Sequence, residues 1–290
     1  MMSKLILGTA QIGMNYGVNN ILGKIRKEDA FKILNLAYQS GIEYLDTAPV
    51  YGDAQKIIGE FHKLNPSIIF KIISKIPLGY SIEKIEELVD IFRNEMHVDY
   101  ISVLHFHSIS DYSKINQRKL GDLIEKLKSS KKVLSFGVSI YENEEFEKIN
   151  NSKIDIIQLP FNLLDNINVR GDLLSRIKNE GKIIHSRSVF LQGLFFTDIQ
   201  RISDPALRTN IINLNNICEQ NCITMEELAL QYCIAHDQID YVLIGIDSID
   251  QFKRNISIAQ KKLQSKIIEK INDIYVLNLS SINPSKWKTE

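Results

Sequence analysis

Short apolar runs rich in Ile and Val alternate along the chain with longer amphipathic, charged segments. The apolar runs read as strands at 4–10, 43–48, 68–76, 99–107, 133–141, 155–162, 182–190 and 240–246. Helical spacing occupies the intervals, at 27–40, 53–64, 81–96, 117–131, 143–150, 171–180, 205–219, 224–237, 248–263 and 266–276. In SIEKIEELVDIFRNEM, for instance, Ile82, Ile85, Leu88, Ile91 and Phe92 recur at helical intervals. Ser81 is expected to cap that helix, with Glu83 near the positive end of its dipole. Thr224 followed by Glu227 reads as a full capping box.

Eight strand-then-helix units in 290 residues predict an α/β fold, a (β/α)8 TIM barrel forming a single domain over 1–290 with a C-terminal helix and tail. The rival is a doubly wound open sheet, which wants a glycine-rich fingerprint after its first strand. The turn here is GTAQIGMNYG, with glycines at 8, 13 and 17, which is not GxGxxG. Strand count and the missing fingerprint favour the barrel.

Composition narrows the function classes. Lys plus Arg equals Asp plus Glu at 35 each, so no net field draws the chain to nucleic acid or an anionic membrane. The expected partner is a small molecule, with no nucleic acid, no membrane, and a monomer or small homo-oligomer as the state. Cys218, Cys222 and Cys233 fit neither a disulfide framework nor a CxxC metal site, and a cytoplasmic location is expected. The opening MMSKLILGTA is too short an apolar run for a signal peptide, and no run of about 18 apolar residues is present.

In a barrel, chemistry sits at the C-terminal strand ends. The polar residues there are Asp46, Lys75, His107, Ser139, Gln158 and Ser188, separated by 29, 32, 32, 19 and 30 residues, about one strand–helix unit each. Asp46, Lys75 and His107 are therefore expected to meet on the rim, joined by Tyr51 from the loop after strand 2. The grouping has chemical logic. A free phenol titrates near 10 and is a poor proton donor or acceptor at neutral pH. A neighbouring ammonium favours the phenolate, a carboxylate holds that ammonium charged, and a histidine can hydrogen-bond the same reacting oxygen. Such a set can move a proton at an oxygen whose carbon gains or loses hydride. Taken singly, each residue has a plainer role: Asp46 as a turn cap, Tyr51 as a rim aromatic, Lys75 snorkelling to water, His107 as a hydrogen-bonded core histidine. The four at barrel spacing carry the argument together.

These segments resemble those of the aldo-keto reductases over nearly the whole chain. LDTAPVYG resembles the family's strand-2 signature, ISKI the strand-3 end, and VDYISVLHFH the strand-4 end. The resemblance implies catalytic roles for Asp46, Tyr51, Lys75 and His107. It places Thr9, Ser139 and Gln158 at the cofactor, the latter two through GVS and QLPFN at the nicotinamide carboxamide. SVFLQGLF resembles the pyrophosphate loop, which implies Ser188, Phe190, Gln192 and Gly193. LIGIDSIDQFKRN resembles the adenosine segment, which implies Gly245, Asp247, Gln251 and Asn255. The implied activity is a metal-free carbonyl reduction, or the reverse alcohol oxidation, using NADP or NAD, on a carbonyl compound that is sugar-derived or acidic.

Three departures from the family pattern change the picture. Ile140 follows Ser139 where many members have Asn. Arg187 stands where many stack a tyrosine on the nicotinamide, and implies either an anionic substrate group or a pairing with a nearby acid. Gly245 and Gln251 stand where NADPH-preferring members often carry Lys and Arg, and Asp247 lies between them. Family habit favours NADPH, the local residues NADH, and Lys253 and Arg254 are close enough to compensate. Tyr16 and Trp287 are candidate pocket walls. Two other classes stay open. One is a metal-dependent hydrolase barrel using His105, His107, His185 and Asp247. The other is a non-catalytic barrel that binds a nicotinamide nucleotide as a sensor or partner subunit.

Overall fold

A computed structural model describes residues 4–17, 20–149 and 153–287. The chain opens with β1 (Leu5–Gly8), a one-turn α1 (Ala10–Gly13) and α2 (Lys27–Gln39). There follow β2 (Tyr44–Asp46), α3 (Ala54–Leu64), β3 (Lys71–Ile76), α4 (Ile85–Met96) and β4 (Ile101–Phe106). Next come α5 (Ile109–Lys114), α6 (Gln117–Ser129), β5 (Val133–Ser139), β6 (Ile156–Pro160), α7 (Ile167–Asn179) and β7 (Ile183–Arg187). The last group is α8 (Pro205–Asn221), α9 (Met225–Ala235), β8 (Tyr241–Ile244), α10 (Ile249–Ala259) and α11 (Ser265–Asn272). The strands pair in parallel in sequence order, and β8 closes on β1 through Leu5↔Val242, Ile6↔Leu243 and Leu7↔Ile244. The expected (β/α)8 barrel is the observed fold. Among the described residues no helix is long and apolar enough to cross a membrane.

Parallel strands covered on both faces read as continuous apolar runs, which is why all eight were legible. Their outward residues join the helices in one large core. A second, small cluster of Ile6, Ile73, Val103 and Ile156, with Tyr44, Tyr241 and Leu243 against it, consists only of strand residues of the opposite parity. That is the filling of the barrel. Two residues further along the same inward rows stand Gly8, Asp46, Lys75, His105, Gln158 and Gly245. The inward face thus changes from apolar to polar towards the C-terminal rim, because side chains alternate with period two.

The helices bury stripes, as in α4, where Ile85, Leu88, Val89, Phe92 and Met96 are inside. Full burial of such a side chain stabilises by roughly 1.5–3 kcal/mol. Ile91, expected in the stripe, is 50% exposed, because the stripe passes through 88/89 and 92 instead. Ser81 is extended before a short 3₁₀ turn (Ile82–Lys84), and its hydroxyl bonds Glu83 rather than a backbone N–H. Thr224 does accept from the Glu227 amide at 3.1 Å. The other half of the expected capping box is missing among the described residues, since the Glu227 carboxylate pairs with Lys261 at 3.0 Å. The segment expected as a helix over 143–150 is 3₁₀ over Asn143–Lys148, and Asn150 lies outside the described residues.

One glycine sets the approach of two helices. A Cβ on Gly59 of α3 would stand 1.8 Å from the Glu95 carbonyl oxygen at the end of α4. Gly59→Ala is therefore expected to push α3 and α4 apart and cost about 1–3 kcal/mol. Urea unfolding should show a lower midpoint at unchanged slope; an unchanged midpoint would contradict this packing.

Candidate active site

The first turn after β1 and the loop after β2 are built as one piece. Thr9 donates both its amide and its hydroxyl hydrogen to the Asp46 carbonyl, each at 3.0 Å. Gly13 then lies so close to the β2 loop that a Cβ on it would stand 1.7 Å from the Tyr51 carbonyl oxygen. Gly52 returns the contact: its φ is +57°, and a Cβ there would stand 2.2 Å from the Gly13 carbonyl oxygen. Only glycine allows this approach in this conformation. Tyr51 is thereby fixed at the barrel mouth, half-buried.

Beneath it lies a buried polar network. The Lys75 ammonium forms an ion pair with Asp46 Oδ1 and donates to the Thr47 carbonyl at 3.2 Å. The same nitrogen lies 4.9 Å from the centre of the Tyr51 ring. Gln158 Nε2 donates to Asp46 Oδ2 at 3.0 Å, and the Ser139 hydroxyl donates to Gln158 Oε1 at 3.2 Å. Both carboxylate oxygens of Asp46 are therefore engaged. Burial alone would drive the Lys75 ammonium down, but Asp46 and Tyr51 outweigh it and hold its pKa above the ordinary lysine value. His107, one residue beyond β4, moves the other way. Burial, reinforced by Lys75, pushes it down to about 4, so it is neutral at physiological pH and can donate one hydrogen bond.

Part of this group lines a cavity of about 490 Å³, while Lys75 and His107 lie behind its wall. Asp46, Tyr51 and Gln158 line it together with Thr9, Arg187, Ser188, Phe190, Gln192, Gly193, Gly245, Asp247 and Gln251. Of the expected cofactor residues, Ser139 and Asn255 are buried and do not face the cavity. Ser139 acts through Gln158. Asn255 has no hydrogen-bond partner for either amide atom among the described residues. Ser188, expected on strand 7, lies just past β7 with φ +60°, and Leu191, Gln192 and Gly193 also have positive φ. This strained loop lies along the cavity, where such backbone is commonly stored at functional sites. Trp287 packs against the hydrophobic core, its indole N–H donating to the Ser281 carbonyl at 3.0 Å, away from the cavity. Tyr16 does line it, and accepts from Gln192 Nε2 at 3.0 Å across the mouth.

Sequence reasoning missed Tyr141. Its ring lies under the Arg187 guanidinium, with 3.9 Å between Arg187 Cζ and the ring centre. Arg187 also donates to the Ile140 carbonyl at 3.2 Å and the Ser188 hydroxyl at 3.4 Å. No carboxylate lies within ion-pair distance of it among the described residues. The signal was Tyr141 closing the strand-5 run, two units before the strand-7 end at Arg187. Glu226 and Phe196 also line the cavity without having been singled out.

A cavity lined by Gln158, the positive-φ loop at Ser188, Gln192 and Gly193, and the side-chain-free positions Gly8 and Gly245 fits a nicotinamide dinucleotide. A Cβ at Gly8 would stand 3.1 Å from the Ile244 backbone carbonyl oxygen, and one at Gly245 2.9 Å from the movable end of the Gln11 side chain, so Gly8 is the more restricted of the two. The metal-binding alternative is not assembled. His105 lies a layer deeper, its ring 6.0 Å from that of His185, while Asp247 is held by Gln11. No group of three His, Cys, Asp or Glu able to hold a metal converges among the described residues.

The sequence model of the Aldo/keto reductase family matches residues 4–276. L-galactose dehydrogenase of Arabidopsis thaliana is 24% identical, over 86% of this chain and 83% of that protein. Pyridoxal 4-dehydrogenase of Microbacterium luteolum is 20% identical, over 86% and 87%. Among solved structures, the holo form of an aldo-keto reductase from Bacillus halodurans superposes with a TM-score of 0.74 at 22% identity, covering 96% of this chain and 93% of that one.

The barrel filling predicts an acid sensitivity. Burial pushes His185 from the ordinary 6.5 down to about 4. The unfolded chain takes up that proton at higher pH than the fold does, so stability is fully present above pH 6.5 and is lost as pH falls towards 4. Urea unfolding at about pH 7 and about pH 4.5 should show wild type losing roughly 2–3 kcal/mol more than His185→Leu. Equal losses would contradict a neutral buried imidazole.

Proposed function

The chain belongs to the aldo/keto reductase family, and from that premise we propose that it is an NAD(P)(H)-dependent oxidoreductase interconverting a carbonyl compound and its alcohol. The observation that carries this reading is the buried Lys75–Asp46 ion pair directly under the Tyr51 ring, with Asp46 and Tyr51 both on the cavity wall. When bound, the nicotinamide supplies or accepts the hydride at the carbonyl carbon.

The chain's own residues manage the oxygen. Tyr51 gives its phenolic proton to the carbonyl oxygen in reduction and takes it back in oxidation. Lys75, kept cationic by Asp46, stabilises the charge that develops on the phenol oxygen. Neutral His107 donates a hydrogen bond that orients the substrate oxygen. Gln158, itself held by the Ser139 hydroxyl, donates to the second oxygen of Asp46, so the carboxylate keeps one orientation throughout. The Gln158 N–H not used by Asp46 is left to meet a carboxamide. This complete set favours catalysis over a purely nucleotide-sensing role.

The substrate reading concerns Arg187. Its guanidinium faces the cavity, stacked on Tyr141 and without an acidic partner among the described residues, so a carboxylate or phosphate on the substrate would complete it. The two relatives above are named as dehydrogenases of L-galactose and of pyridoxal, which supports sugar-derived or similarly polar carbonyl compounds.

Two outcomes are expected. Tyr51→Phe should lower kcat by at least about 100-fold, the usual weight of a general acid, with the dinucleotide Kd nearly unchanged. Retention of full turnover would overturn the assignment. Arg187→Met should lower kcat/KM about tenfold or more for carboxylate-bearing aldehydes relative to neutral ones of matched size, since a lost charge-assisted contact is typically worth about 1.5–3 kcal/mol. An unchanged acidic-to-neutral ratio would remove the anionic-substrate reading.

A further inference from the structure

A buried ion pair that the mechanism does not use stands behind the cavity wall. Arg170 of α7 is 4% exposed, and Asp165, just before that helix, 3%. Arg170 Nε and Nη2 donate to the two Asp165 oxygens at 2.6 and 2.7 Å. The same guanidinium reaches the chain after β5, where Nη2 donates to the Tyr141 carbonyl at 2.6 Å and Nη1 to Asn143 Oδ1 at 2.7 Å. Asn143 is tied back to α7 by donating to the Val169 carbonyl at 2.7 Å. A buried pair of this kind adds little to stability once its desolvation is counted. Its grip on Tyr141 points to another role.

Tyr141 is anchored at both ends of its backbone. Its amide donates to Glu145 Oε2 at 2.6 Å, and its carbonyl is the acceptor for Arg170. Its ring carries the Arg187 guanidinium, and both residues line the cavity. A guanidinium has five N–H donors. Arg187 uses one on the Ile140 carbonyl and one on the Ser188 hydroxyl, and no other acceptor is bonded to it among the described residues. Stacking fixes the plane of the guanidinium without engaging the donors at its edge, so the fork stays available to an anion. Asp165 gives both oxygens to Arg170 and forms no ion pair with Arg187. The contacts thus run from Asp165 to Arg170, to the Tyr141 backbone, to its ring, and to Arg187.

We propose that Tyr141 is a specificity-determining residue of this site: its ring sets the plane in which Arg187 meets a carboxylate-bearing carbonyl substrate, and Arg170 is the positioning residue that holds the ring there. The inference rests on the function proposed above and deepens its reading of Arg187. An aromatic face attracts a cation more strongly where water is excluded. A guanidinium already kept in one plane loses less freedom on pairing bidentately with a carboxylate. An unsupported arginine on the wall would bring the same charge without the same orientation. Tyr141 therefore adds discrimination between an anionic substrate and a neutral one of equal size, rather than turnover itself.

The test compares para-formylbenzoate with para-formylbenzamide, which differ in charge and hardly in shape, as substrates of the full chain with NADH and NADPH both supplied. Wild type is expected to favour the acid in kcat/KM by about tenfold. Tyr141→Leu, which removes the ring face, should lower that ratio about fivefold, mainly through KM for the acid. Tyr141→Phe, which restores the face, should recover most of it. In an Arg187→Met background, Tyr141→Leu should move the ratio no further, because the ring acts through the guanidinium. Arg170→Lys keeps a cation for Asp165 but loses the fork to Tyr141, and should lower the ratio in the same direction. If that variant does not fold, Asn143→Ala, which removes one acceptor of Arg170, should do so by about twofold. A loss shared equally by acid and amide would mark a merely structural ring and overturn the inference alone, as would a ratio that Arg187→Met abolishes and Tyr141→Leu leaves unmoved. A wild type without preference for the acid would overturn the anionic-substrate reading together with it, and turnover of neither aldehyde would overturn the proposed function as well.

Discussion

The structure turns on one buried ion pair. Removing an ammonium and a carboxylate from water costs several kcal/mol each, and only good geometry with further hydrogen bonds offsets it. Lys75 and Asp46 meet both conditions. The carboxylate is held on one oxygen by Lys75 and on the other by Gln158, and the ammonium has the Thr47 carbonyl as a second acceptor. Pairs like this are weak contributors to stability, and a hydrophobic replacement is often tolerated. Its presence under Tyr51 is better explained by what a fixed positive charge does to a phenol than by what it adds to the fold.

The barrel makes the pair possible. Apolar residues fill the inside at the deeper level, so the polar level above rests on a dry floor, where each charge is less screened. Gly137 leaves room for the His105 ring, since a Cβ there would stand 2.4 Å from His105 Cε1. Neutral His105 and His185 pair in register with Lys75 and Gln158 and add no charge of their own. At the rim, Gly13 and Gly52 lock the β1 turn to the loop that carries Tyr51. Three strands and one glycine contact therefore decide where the proton donor stands.

Much of this was legible in the sequence. The eight strands announced themselves as Ile- and Val-rich runs because both faces are buried, and Asp46, Lys75 and His107 stood out because each closes such a run. What escaped had no periodic signature. The one-turn α1 was read as part of the turn after strand 1, and α5 and the 3₁₀ turn over Leu191–Phe196 are too short to repeat a pattern. The bond from Gln158 to Asp46 spans 112 residues, and the stacking of Arg187 on Tyr141 joins two strands through a ring face that leaves no mark in composition. Helix caps were half right, because Ser81 and Glu227 found side-chain partners that compete with the backbone.

The central claim is that Lys75 and Asp46 act as one unit on Tyr51. A double-mutant cycle on the rate of hydride transfer in a single turnover tests it, using Lys75→Met, Asp46→Asn and the combined variant. If the unit is real, Lys75→Met alone already removes nearly all that the pair contributes, and the double variant is scarcely slower. Independent, additive losses from the two substitutions would contradict it.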